Sequence, residues 1–246
     1  MSSPTPPSVP RIRPPGSPVV IAIDGPAASG KSSTAQWVAQ RLQFRHVDSG
    51  SLYRAVTAAR ERLGDLPESW SEASVLAVTP TVSLRATEGS FLPLIGGEPA
   101  EAEIRGSEVT REVSRVARMS AVRNWVNDEV RRVARGYDVV VDGRDIGTVV
   151  FPDADLKIFL VADPWERAKR RLVQRLSRKP TDPEIADETE RLVQRDSRDA
   201  TQTVQARDAV LIDTTYLTQA EQVERIVALA RAVTARPGDT SPVDEQ

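Results

Sequence analysis

Cysteine is absent, which excludes disulfides, thiolate metal sites and a cysteine nucleophile. The absence also favours a reducing compartment, so a cytoplasmic protein is expected. Histidine occurs once, as His46, on what reads as a short strand, and packing accounts for it better than a general-base role. No apolar run approaches the length of a membrane span. The net charge is only −2, so no overall field draws the chain to nucleic acid or membrane. Lysine is scarce as well: four lysines stand among 33 basic residues, and genome composition explains most of the arginine bias. The guanine-reading pattern N-K-x-D does not occur, which argues against a GTPase.

What is present fits one soluble domain, or a domain with an inserted lobe: 246 residues, 39% hydrophobic and 28% charged. The first 18 residues hold seven prolines and no apolar core of a signal peptide. Residues 1–17 therefore read as a disordered Pro-rich tail, inert rather than a docking segment, and residues 236–246 as a second tail. The folded domain is expected over 18–235.

Within it, short apolar runs at 19–23, 137–141, 156–161 and 209–212 are each expected to be a strand followed by a helix. That alternation predicts an α/β fold with a parallel sheet. Two capping boxes mark helix starts, Asp163-Pro164-Trp165-Glu166 and Thr218-Gln219-Ala220-Glu221. The second opens a helix with the stripe Val223, Ile226, Val227, Ala230 and Val233. Residues 80–105 break the rhythm and read as three short antiparallel strands, with Glu88-Gly89 and Gly96-Gly97 as turns. Helices at about 107–118 and 120–135 follow.

The chemistry begins at Gly25-Pro26-Ala27-Ala28-Ser29-Gly30-Lys31-Ser32, which fits G-x-x-x-x-G-K-[ST] between an apolar strand and a helix. Backbone N–H groups of such a loop point at phosphates, Lys31 adds a point charge and the Ser32 hydroxyl can ligate Mg²⁺. Asp142 ends the 137–141 run and stands either beside that Mg²⁺ or as an ordinary turn cap. The stretch Asp142-Gly143-Arg144-Asp145 lies where open α/β sheets bind ligands. In "HVDSGSLYRA", Ser49, Tyr53 and Arg54 open a helix suited to an anion, or simply a capped surface helix. The arginines Arg167, Arg170, Arg171, Arg175, Arg178, Arg191, Arg195 and Arg198 form either a solvated hairpin or a lid, at about 170–198.

Together these segments resemble the bacterial-type cytidylate kinases over about residues 18–234, through "IDGPAASGKSS", "DSGSLYRA", "EIRGSEV", "DGRDIGTVVFPDADLKIFLVAD", "RDSRD" and "ARDAVLIDT". The resemblance implies a P-loop kinase fold: a five-stranded parallel sheet flanked by helices, an inserted nucleotide-monophosphate lobe at about 50–135 with a small antiparallel sheet, and an Arg-rich lid. It implies transfer of the ATP γ-phosphate to CMP or dCMP, with ATP and Mg²⁺ required. Gly25 to Ser33 (Gly25, Pro26, Ala27, Ala28, Ser29, Gly30, Lys31, Ser32, Ser33) would hold ATP, and Ser32 and Asp142 the metal. Lys31, Arg144, Arg167 and Arg171 would act on the transferring phosphate. Ser114, Arg123 and Asp145 would surround the cytosine, and Ser49 and Tyr53 would be further contacts to the acceptor. Arg54 and Arg144 would face the acceptor phosphate, and Arg195 and Asp199 the ribose. Gln202 departs from the family pattern, which has arginine there; Arg198, one turn earlier, is the residue able to compensate. A monomer acting on small molecules is expected. The alternatives are a P-loop kinase for another acceptor such as UMP, or a non-catalytic ATP sensor.

Overall fold

A computed structural model describes residues 17–234. Apart from Ser17, the two tails expected from composition lie outside the described residues.

β1 (Val20–Asp24) buries four residues of five, as a strand covered on both faces must. A glycine-rich loop leads into α1 (Lys31–Leu42), which ends where Gln43 turns left-handed. β2 (Arg45–Asp48) follows, and the Asp48 carboxylate accepts from Ser51 N at 3.1 Å to cap α2 (Ser49–Glu61). Then come α3 (Glu72–Leu76), the antiparallel strands β3 (Val82–Ala86), β4 (Phe91–Ile95) and β5 (Glu98–Pro99), and the helices α4 (Ser107–Val116) and α5 (Ser120–Ala134). The chain returns as β6 (Val139–Gly143) and β7 (Leu156–Val161). α6 (Pro164–Leu176) and α7 (Asp182–Asp199) make a hairpin before β8 (Val210–Asp213) and α8 (Gln219–Thr234).

The five long strands form one parallel sheet in the order β2-β6-β1-β7-β8. The first crossover leaves a slot beside β1 that β6 fills, and the chain then continues on the other side of β1. A crevice therefore opens at the carboxyl ends of the central strands, where Asp24 pairs in register with Gly143 and Asp48 with Asp142. Alternation along β6 feeds two cores. Val139 and Val141 pack with α2 and α5 residues such as Leu52 and Val126, whereas Val140 packs with Val38 of α1 and Ile226 of α8. A third, small core joins Ala27 of the glycine-rich loop to Ala168, Leu172, Ile185 and Leu192 of the α6–α7 hairpin.

The expected α/β architecture holds, with four local corrections. β6 is not followed by an α-helix: residues 144–155 reach β7 through one wide turn at Ile146–Val150. Asp24, at the end of β1, pins that turn by accepting from Ile146 N at 2.8 Å and Gly147 N at 2.7 Å. The third antiparallel strand is only two residues long, since Pro99 has no N–H to extend the ladder, and Glu103–Arg105 is a 3₁₀ turn. Asp163 caps α6 through Trp165 N and Glu166 N, but Glu166 closes no box because Asp163 N donates to Thr215 Oγ1 at 2.9 Å. The Thr218–Glu221 box does close in both directions, while Val233 leaves the α8 stripe and is 50% exposed.

Candidate active site

The glycine-rich loop is shaped by close approach. Gly25 has φ 149°, and a Cβ there would stand 2.2 Å from the Leu160 carbonyl oxygen, so only glycine lets the loop lie against β7. Ala27, Ala28, Lys31 and Ser32 line a cavity of about 240 Å³, while Gly25, Pro26, Ser29, Gly30 and Ser33 build the loop behind it. The Lys31 ammonium folds back to Pro26 O at 2.6 Å. Burial, and next the nearby Arg144 charge, lower its pKa to about 7.

Asp142 has both carboxylate oxygens engaged. Ser32 Oγ donates to Oδ2 at 2.6 Å, and His46 Nε2 lies 2.7 Å from Oδ1. These partners are side chains of α1 and β2. Burial alone would lower the His46 pKa, but its hydrogen bond to Asp142 and the charges of Asp142 and Asp48 outweigh that and raise it. A hydroxyl beside a carboxylate is a hard-oxygen pair of the kind Mg²⁺ takes. A hydroxyl that ligates through its lone pairs still keeps its proton for the carboxylate, so the hydrogen bond and a metal are compatible.

Across the cavity, α2 presents Ser49, Tyr53 and Arg54. Ser49 Oγ donates to Asp142 O at 2.7 Å, close enough that a Cβ on Gly143 would stand 2.5 Å from it. The Tyr53 hydroxyl is buried with no hydrogen-bond partner among the described residues, which suits a group that receives a ligand. Arg54 Nη1 donates to Ile104 O at 3.2 Å and Thr110 Oγ1 at 3.0 Å. Ser114 of α4 and Arg123 of α5 complete this wall, and Arg123 pairs with Asp145 and donates to Gln202 Oε1 at 2.9 Å. Burial raises the Asp145 pKa despite that pairing.

Arg144 Nη2 donates to Asp199 Oδ2 at 2.8 Å and its Nη1 to Gly25 O at 3.1 Å, so it bridges the phosphate loop and the hairpin. Arg195 Nε stands 3.8 Å from the same Asp199 oxygen; burial, then the Arg144 charge, lower its pKa to about 10. Arg171 lines the cavity and pairs with Glu188 at 2.9 Å. Arg167 is placed differently from the expectation that it faces the transferring phosphate. It is buried, does not line the cavity, and donates to Ala27 O at 2.8 Å and Asp196 Oδ2 at 2.6 Å. Asp196 Oδ1 in turn accepts from Ala27 N at 3.0 Å, so the Arg167–Asp196 pair clasps Ala27 of the glycine-rich loop through the peptide groups on either side of it. Arg198 is exposed and away from the cavity, and offers no compensation at Gln202, which itself lines the wall.

Sequence reasoning missed Asp48, Gly50, Arg105, Val113 and Ala117 among the lining residues. Arg105 lies in the quoted segment "EIRGSEV", which was the signal available. In all, seven basic side chains face four carboxylates in this cavity, against a net charge of −2 for the whole chain. Positive charge is concentrated where it can hold a polyanion.

A family model described as cytidylate kinase matches residues 21–232. The cytidylate kinase of Chloroherpeton thalassium is 40% identical over 87% of this chain and 94% of its own length. That of Chlorobaculum tepidum is 40% identical over 88% and 94%, and that of Alkaliphilus oremlandii 38% identical over 87% and 99%.

Proposed function

The chain belongs to the cytidylate kinase family, and from that premise we propose how the cavity described above seats a donor and an acceptor nucleotide. The protein is a kinase that phosphorylates CMP at the expense of ATP; extension to dCMP is part of this proposal. The observation that supports the division of labour most is the basic cavity itself. It has the phosphate loop on one wall and the α2–α4–α5 wall opposite, with Arg144 between them.

Chemistry follows from charge. The second pKa of a phosphate monoester is about 6, so at neutral pH an acceptor oxygen is already a nucleophile and needs no general base. It attacks the γ-phosphorus, the bond from that phosphorus to the bridging oxygen breaks, and ADP leaves with the electron pair. What the protein supplies is alignment of two polyanions and compensation of their charge. Loop amides and Lys31 take the donor phosphates. Arg54 and Arg144 take the acceptor phosphate, and Arg171 approaches from the hairpin. Ser114, Arg123 and Asp145 read the base, with Gln202 holding Arg123, and Arg195 and Asp199 meet the sugar. Arg167 we assign to bracing the loop rather than to the reacting phosphate. Ser32 and Asp142 would hold Mg²⁺, which when bound neutralises phosphate charge. Among the described residues no group of three or more histidine, cysteine or acidic side chains could enclose a metal. These two residues would thus share the ion with phosphate oxygens and water, as is usual for Mg²⁺.

A monomer as the working unit is part of this proposal. No described helix is long and apolar enough to cross a membrane; a cytoplasmic enzyme with small-molecule partners only is the accompanying proposal. Lys31→Ala and Arg144→Ala test the scheme: each is expected to lower kcat by about 100-fold or more without unfolding the protein. Near-normal turnover in either would remove that residue from the site.

A further inference from the structure

The scheme gives no task to the buried side chain of His46. His46 is the only histidine of the chain, lies in the middle of β2, and has its ring against Asp142. Its side chain is 10% exposed and that of Asp142 is 3% exposed, so neither exchanges partners freely with water. The strand below the ring is held on both edges. β2 pairs with β6 in the register His46 to Val140 and Asp48 to Asp142, and on the other side His46 N donates to Gly89 O at 3.0 Å.

Asp142 is consequently gripped from two directions. On one side is the ring of His46 at 2.7 Å from Oδ1, on the other the Ser32 hydroxyl at 2.6 Å from Oδ2. An aspartate free to turn about its side-chain bonds could swing Oδ2 away from Ser32. A ring hydrogen-bonded to Oδ1 removes that freedom and leaves Oδ2 aimed at the first turn of α1.

We propose that His46 is a positioning residue of the metal-holding pair, fixing the Asp142 carboxylate so that it and the Ser32 hydroxyl are arranged for a divalent cation before the cation arrives. The inference rests on the reading of Ser32 and Asp142 given above. Hydrogen-bonded partners of this kind behind metal-holding groups change affinity by about 10–100-fold when removed. Ring packing alone would give no such effect.

The test uses His46→Phe, which keeps the bulk and deletes the hydrogen bond, His46→Gln, whose amide can still donate, and Asp142→Asn. Binding of Mn²⁺ to the full-length protein with ADP is followed by the loss of the free-ion electron paramagnetic resonance signal. Affinity for CMP and thermal stability are measured alongside. His46→Phe is expected to weaken Mn²⁺ by about ten-fold with CMP affinity unchanged, and His46→Gln to recover most of the loss. Unaltered Mn²⁺ affinity in His46→Phe overturns the positioning role. If that variant does not fold, His46→Asn, too short to reach Oδ1, carries the same prediction and the same refutation. The two levels separate through the aspartate. If Asp142→Asn loses Mn²⁺ and the histidine variants do not, only the role of His46 fails; if Asp142→Asn binds Mn²⁺ normally, the metal reading fails and takes this inference with it.

Discussion

Asp24 shows how much one side chain can organise. Its two oxygens accept from Ile146 N and Gly147 N, tying the end of β1 to the turn that follows Arg144 and Asp145. Burial raises its pKa to about 6, which leaves it ionised and able to accept both bonds at neutral pH. An asparagine has one acceptor, so Asp24→Asn strands a buried N–H; a loss of about 1–3 kcal/mol is expected in urea denaturation, with kcat falling as the Arg144 loop loosens. Lys31 makes a second residue-level case. In the ligand-free protein its pKa is about 7. A triphosphate stabilises the ammonium, so the bound pKa is higher and binding must take up protons between about pH 7 and the ordinary lysine range near 10.4. Calorimetry of ATP binding at pH 8 in buffers of different ionisation enthalpy should show that uptake, and Lys31→Met should lack it. Residues such as Lys31 and Ser32 were legible in the sequence because their meaning lies in the local spacing of one loop. Asp24, Arg167 and Asp196 were not, because their partners lie 122 to 169 positions away.

At the scale of elements, the hairpin of α6 and α7 is fastened to the phosphate loop at Ala27, by the small apolar core and by the Arg167–Asp196 clasp. Two arginines four positions apart on α6 therefore do different work. Arg167 is 5% exposed and engaged on three sides, whereas Arg171 is 32% exposed beside the cavity. Arg167→Met should cost about 1–3 kcal/mol, because it removes a buried guanidinium with three partners and leaves the half-buried Asp196 without its cation. Arg171→Met should leave the melting temperature nearly unchanged and lower kcat. Equal stability losses in the two variants would contradict the assignment. The arginine-dense run read as a hairpin that includes both residues, but side-chain direction depends on how that hairpin docks. For the same reason the strand after Asp142 was legible and the missing helix between β6 and β7 was not: the pinning partner of that turn is on β1.

On the scale of the whole molecule, parallel strand order creates the crevice, and the inserted lobe and the hairpin enclose it from two sides. The parallel sheet, the antiparallel insert and the hairpin could be read from apolar runs and turn residues, since burial on both faces writes itself into composition. Which side chains of the insert reach across could not: Arg105 lay inside a quoted segment without a role, and only the folded shape puts it on the cavity wall. The base-reading wall makes its own prediction: Arg123→Ala, which frees Asp145 and Gln202, should raise KM for CMP more than it lowers kcat, as seen in steady-state kinetics over a CMP series. What receives the phosphate is decisive for the function of the cavity. Coupled measurement of ADP release with ATP and Mg²⁺, over CMP, dCMP, UMP, AMP and GMP, tests that most directly. CMP-dependent turnover well above UMP, AMP and GMP, with dCMP also accepted, is the predicted result; ATP binding without CMP-dependent ADP release, or a purine acceptor preferred to CMP, would contradict it.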